Sequence, residues 1–138
     1  MNRTIEIKIP SDPKYLKIVR RAVAHLCELA GLSRQERNNS MLAVDEACTN
    51  IIRHTYKGAP DKLIIIEGTI FNDKIMFVLR DFGEKIDPKT IKSRELNDIR
   101  PGGLGVHLIR SVMDEAIYDN TPEIGNQLTL IKYRTKEA

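Results

Sequence analysis

The chain has 138 residues, close to the size of one domain, with 41% hydrophobic residues and 22 Lys and Arg against 19 Asp and Glu, a formal charge of +3. These figures exclude a tandem array and an intrinsically disordered chain, and without a long single-sign run they give no reason to expect nucleic acid or a membrane surface as a partner. No apolar stretch approaches the roughly 20 residues that cross a bilayer, and Met1 to Arg3 leads into Ile5, Ile7 and Ile9 instead of a signal-peptide core, so a single cytoplasmic domain over 1–138 is expected.

Ile5, Ile7 and Ile9 alternate with Glu6 and Lys8, the period of a half-buried strand that Pro10 closes. Asp12 before Pro13 reads as a helix start. Leu16, Val19, Val23, Leu26 and Ala30 recur at helical steps until Gly31, which predicts helix one over about 12–30. Ser33-Arg34-Gln35-Glu36 matches a capping box, and an amphipathic helix two then runs to about Tyr56. Cys27 and Cys48 fall inside these helical patterns; two thiols make no secreted-type disulfide framework, so both are expected buried and reduced. Leu63–Ile66 and Ile75–Leu79, separated by Asn72-Asp73, read as a hairpin.

The charged stretch from Gly83 to Pro101 is long for a connection inside a compact domain and reads as a functional loop, with a short helical turn near 88–93. Leu104, Leu108, Ile109 and Val112 give a third helix opened by Pro101-Gly102-Gly103-Leu104-Gly105. Ile117-Tyr118 and Gln127–Tyr133 are the last strands, with a turn at Gly125-Asn126 between them. The order β, α, α, β, β, α, β, β predicts an α+β sandwich, helices on one face of a mixed sheet.

Helix two carries the chemistry. With Glu46 at zero and about 100° per residue, Asn50 falls near +40°, Arg53 near −20° and His54 near +80°. Val44, Cys48, Ile51, Ile52 and Thr55 take the opposite side. A carboxylate, an amide, a guanidinium and an imidazole thus share one stripe, and the alternatives are a solvated face or a cavity wall. Ala43 and Ala47 beside these groups and Leu42 on their other flank favour the cavity. Arg80-Asp81-Phe82-Gly83 ends the second hairpin strand, where an Asp can accept a hydrogen bond from an exocyclic amine and a glycine lets a flat ring approach; an ordinary turn would use the same residues. The glycine run 102–105 at a helix start offers unobstructed amides and the positive end of a helix dipole to an anion. It matches neither a Walker A loop nor a Rossmann fingerprint. His25 lies near helix one's apolar stripe and reads as structural, and His107 as packed or surface-exposed; the scattered histidines make no metal site.

Glu46-Ala47-Cys48-Thr49-Asn50-Ile51-Ile52-Arg53-His54 resembles the N-box of the GHKL ATPases, Asp81-Phe82-Gly83 their adenine-binding motif, and Gly102-Gly103-Leu104-Gly105-Val106 the glycine box at the end of their lid. In order and length the chain is most similar to the bacterial anti-sigma factor serine/threonine kinases, over about residues 4 to 133. The resemblance implies the two-layer Bergerat sandwich, an ATP lid over about 83–102, and ATP with Mg²⁺ as cofactors. It implies that Asn50 holds Mg²⁺, that Arg53 faces the phosphates or the partner, and that Glu46 is the general base. Asp81 would bind the adenine amino group, with Gly83 giving the ring room. Gly102, Gly103, Leu104, Gly105 and Val106 would form the phosphate-binding end of the lid, Gly103 and Gly105 giving backbone amides. Thr129 would sit near Asp81 and help fix the adenine through a water. The implied substrate is a STAS-type anti-anti-sigma protein; a sigma factor and a second copy in a homodimer are further implied partners. A sequestering module that binds nucleotide without phosphotransfer is the rival reading. Glu84, Lys85 and Ile86 stand where many relatives have a second glycine, so the first lid segment is expected to be stiffer.

Overall fold

The computed structural model describes residues 3–86 and 101–135, with 101–105 at the level of the backbone. Strand β1, Arg3–Pro10, is followed by a 3₁₀ turn, Pro13–Tyr15, whose first free amide is capped by Asp12 at 3.0 Å. Helix α1, Leu16–Leu29, buries Leu16, Val19, Val23, Leu26 and Cys27, the stripe that its spacing predicts. His25 stands away from that stripe, exposed, with Nδ1 3.6 Å from the Glu28 carboxylate, so the structural role expected for it is not what it has.

Helix α2, Arg34–Asn50, begins at the capping box: Ser33 Oγ accepts from the Glu36 amide at 3.1 Å, and Glu36 Oε1 accepts from the Ser33 amide at 2.7 Å. The other Glu36 oxygen accepts from the Thr135 amide at 2.8 Å and from the Thr135 hydroxyl. The segment after the last strand is thereby tied to the start of α2. Burial alone would raise this carboxyl, but the hydrogen bonds from Thr135 and Ser33 outweigh it and hold Glu36 down at about 2.

The helix does not continue as α to Tyr56. Ile51–Thr55 is a π turn, closed by the Tyr56 amide donating to Ile51 O at 2.8 Å. Such a bulge is sequence-silent here, because Ile51 and Ile52 keep the apolar spacing of an α-helix and remain buried.

Strands β2, Leu63–Ile70, and β3, Lys74–Asp81, form the expected hairpin. Helix α3, Pro101–Val112, leads to β4, Glu115–Asp119, and β5, Asn126–Tyr133. The sheet order is β1-β2-β3-β5-β4. Every neighbouring pair is antiparallel, so the sheet is not mixed as expected. A β3–helix–β4 unit would be parallel if its strands touched; β5 folds back from β4 and inserts between them. Ile64, Ile66, Ile75, Phe77, Leu79, Leu128 and Leu130 turn one face of the sheet toward the helices and form the core with α1 and α2. Helix α2 packs against both α1 and α3. Cys27 and Cys48 are buried free thiols, pushed up by burial to about 11 and about 12.

Candidate functional site

The C-terminal part of helix two is anchored by one tyrosine. Tyr56 OH donates to Leu63 O at 2.6 Å and accepts from the Phe82 amide at 2.8 Å, fixing the π turn against the start of β2 and the end of β3. Between that turn, β3, β5 and α3 lies a cavity of about 200 Å³. Helix two supplies Ala47, Asn50 and His54 to it, the end of β3 supplies Asp81, and α3 supplies Val106. Leu79, Leu128 and Ile51 give it an apolar floor, as suits a flat aromatic ligand.

Two of the four side chains on the predicted stripe therefore line this hole. Glu46, one turn before Asn50, is half-exposed and outside it, and Arg53 is exposed and also outside. The π turn explains the difference after Asn50. Each of its residues advances by less than the α-helical 100°, which holds His54 on Asn50's side and carries Arg53 away from it.

Asp81 is 3% exposed. Its Oδ1 accepts from Asn126 Nδ2 at 3.0 Å and from the Gly83 amide at 3.1 Å. Among the described residues no side chain donates to Oδ2, and Asp81 lines the cavity. Burial raises the Asp81 pKa, against the lowering effect of the Asn126 and Gly83 donors. Gly83 itself does not line the cavity. A Cβ there would stand 2.4 Å from Thr55 Cγ2, so its missing side chain admits helix two instead of a ring.

Thr129 is placed on the wrong face for the role expected of it. In β5 the residues Asn126, Leu128 and Leu130 face the helices; Thr129, of opposite parity, points to the other side beside Val78 and Ile117. The residue paired with Asp81 across the ladder is Asn126. Its importance was hidden because Gly125-Asn126 reads as a turn. The register of β5 on β3 was the signal that could have exposed it.

The glycine box forms the first turn of α3, with Pro101 at the first helical position, where its missing N–H costs no hydrogen bond. The helix thus starts earlier than Leu104, and Gly102 to Gly105 lie in its first turn. Val106 brings this helix into contact with the cavity.

The segment after Gly83 is tied to residues 120–126. Lys85 Nζ donates to the carbonyls of Asn120, at 2.6 Å, Gly125, at 3.2 Å, and Pro122. Asn120 Nδ2 donates to Ile86 O at 3.1 Å. The expected helical turn at 88–93 lies outside the described residues. Among the described residues no group of His, Cys, Asp and Glu could hold a metal by itself. Asn50 lines the cavity with an amide whose oxygen is of the hard-ligand type.

The histidine kinase-like ATPase domain family matches residues 9–132. The serine-protein kinase RsbW of Staphylococcus epidermidis is 34% identical over 96% of this chain and 88% of its own length. RsbW of Staphylococcus aureus is 33% identical with the same coverage. The chain belongs to the histidine kinase-like ATPase family, among the anti-sigma serine-protein kinases. For this ATPase family the fold is shared far beyond sequence similarity. The solved RsbU and RsbW domains of Rv1364c from Mycobacterium tuberculosis superpose with a TM-score of 0.72 at 14% identity, covering 99% of this chain and 34% of that one. In the SiaB–SiaC complex from Pseudomonas aeruginosa the matching chain gives 0.62 at 14% identity, covering 94% and 88%. Among the described residues no helix is long and apolar enough to cross a membrane.

Proposed function

We propose that this chain is an ATP- and Mg²⁺-dependent protein serine/threonine kinase that acts as an anti-sigma regulator and phosphorylates a STAS-type anti-anti-sigma protein in the cytoplasm. The observation that carries the reading is one cavity lined by Asn50, by Asp81 and by Val106 of the helix whose first turn is the glycine box. The donor set fits the nucleotide. Asp81 Oδ2 is an acceptor facing an apolar slot, suited to an exocyclic amine, and the start of α3 is suited to phosphate oxygens. Asn50 would hold Mg²⁺ through its amide oxygen. Bound ATP supplies the phosphoryl group that is transferred.

Glu46 lies one turn from Asn50, outside the cavity and half-exposed. That position suits a base that must take a proton from a hydroxyl carried by another protein. Arg53, exposed in the π turn, would meet the partner. A homodimer, a sigma factor as second partner and a single domain over 1–138 belong to the same reading. Incubation with [γ-³²P]ATP, Mg²⁺ and a STAS protein tests it: label should pass to the partner, and Glu46→Gln should abolish transfer while ATP still binds. Transfer that survives Glu46→Gln removes the assigned base. Saturable ATP binding with no transfer to any STAS protein would favour the sequestering module.

A further inference from the structure

We infer that Asn126 is a positioning and specificity-determining residue, which turns one chosen oxygen of Asp81 into the cavity and so makes the pocket select a ring bearing an amine over one bearing a carbonyl. The inference rests on the nucleotide-binding reading above. A carboxylate has two equivalent oxygens, and nothing in Asp81 itself decides which will meet a ligand. Here Asn126 Nδ2 and the Gly83 amide both donate to Oδ1, at 3.0 and 3.1 Å, and among the described residues no side chain donates to Oδ2, which is the oxygen left for a ligand.

The orientation of the Asn126 amide is in turn fixed by the backbone of the segment that follows Asp81. The Ile86 amide donates to Asn126 Oδ1 at 2.7 Å, and Asn126 Nδ2 donates to Glu84 O at 2.8 Å. Flipping the amide would set its oxygen against the Asp81 carboxylate and the Glu84 carbonyl, and its NH₂ against the Ile86 N–H. Three contacts would turn repulsive together. Glu84, Lys85 and Ile86 therefore set Asn126, and Asn126 sets Asp81.

The selectivity follows from acceptor-only chemistry. An ionised Oδ2 welcomes the 6-amino group of adenine and opposes the 6-oxo group of guanine. A protonated Asp81 would offer a donor and weaken that preference. Among the described residues the titratable groups around Asp81 are Tyr56 at the end of the π turn, Arg80 beside it on β3, and His54, Glu84 and Lys85 around the cavity. Asn126 opposes the upward push of burial on the Asp81 carboxyl.

The test is calorimetric titration of the full chain with Mg²⁺-ADP and Mg²⁺-GDP between pH 5.5 and 8, on the unaltered chain, N126A and N126S, together with ¹³C NMR titration of the Asp81 carboxyl. Loss of one hydrogen bond to a charged group predicts about tenfold weaker ADP binding in N126A. The ADP-to-GDP preference should shrink with it, and shrink further at the acid end as Asp81 titrates at higher pH. N126S keeps a hydroxyl donor toward Asp81 and should fall between the two; it carries the same test if N126A fails to fold. A preference within twofold of the unaltered chain in both variants, or an unmoved Asp81 titration, overturns the inference while leaving ATP binding intact. An unaltered chain that binds neither nucleotide overturns the ATP reading and the selectivity with it.

Discussion

Gly83→Ala separates two explanations of the glycine after Asp81. The added Cβ would lie 2.4 Å from Thr55 Cγ2 and 3.4 Å from Thr55 O, where real Cβ contacts essentially never fall below 3.0 Å. The methyl sits on a β-branched side chain limited to two rotamers in a helical setting, so either Thr55 changes rotamer or the π turn moves out by at least 0.6 Å, the difference between those distances. Overpacking of this kind costs about 1 to 3 kcal/mol. Thr55→Ser deletes the methyl and leaves only the ordinary contacts at 3.4 Å. Urea unfolding should show Gly83→Ala destabilised by that amount and the Gly83→Ala, Thr55→Ser double variant restored to within about 0.5 kcal/mol of Thr55→Ser alone, a coupling expected only of groups in contact. Nucleotide affinity measured on the same proteins should follow the same pattern. A double variant that recovers stability but not ADP binding would refute the argument and return Gly83 to the role of clearing space for the ring.

Glu36→Gln is expected to lower stability near neutral pH and to matter little in strong acid. The folded carboxyl, at about 2, lies below its ordinary 4.5, so its contribution is present above 4.5 and lost as pH falls toward 2; the difference corresponds to about 3 kcal/mol, measurable by denaturant unfolding at pH 7 and pH 2.5. Gly125→Ala should be more disruptive. Its φ of +76° disfavours a side chain, and a Cβ there would stand 1.9 Å from Asp81 O, so thermal unfolding should fall by several degrees and ADP binding should weaken with it. Tyr56→Phe removes a donor to Leu63 O and an acceptor for the Phe82 amide, for an expected loss of about 1 to 3 kcal/mol in the same unfolding assay.

The local grammar of the chain was legible because single residues enforce it. Ser33 and Glu36 close the same reciprocal cap that their spacing implies, and the α1 stripe buries the residues it named. Elements that depend on distant parts of the chain were less so. The π turn leaves no mark in a run whose isoleucines satisfy either helix, yet it decides that His54 and not Arg53 reaches the cavity. The sheet was expected to be mixed from the order of elements alone, and the insertion of β5 between β3 and β4 makes every pair among the described strands antiparallel. Thr129 carries suitable chemistry on the wrong parity of its strand; Asn126, dismissed as a turn residue, holds the register position opposite Asp81. Lys85 shows the same blindness, since its three carbonyl partners all come from 120–125, more than thirty residues onward.

The last strand in chain order occupies the fourth place in the sheet, between two that precede it. During synthesis β3 and β4 have no partner to share until β5 exists, and the acceptor at the base pocket has no donor from this strand until Asn126 has been made. A fragment ending before that point exposes two open ladders and lacks the selector of its ligand. An assembled pocket therefore requires a chain made at least as far as Leu128, the third residue of β5.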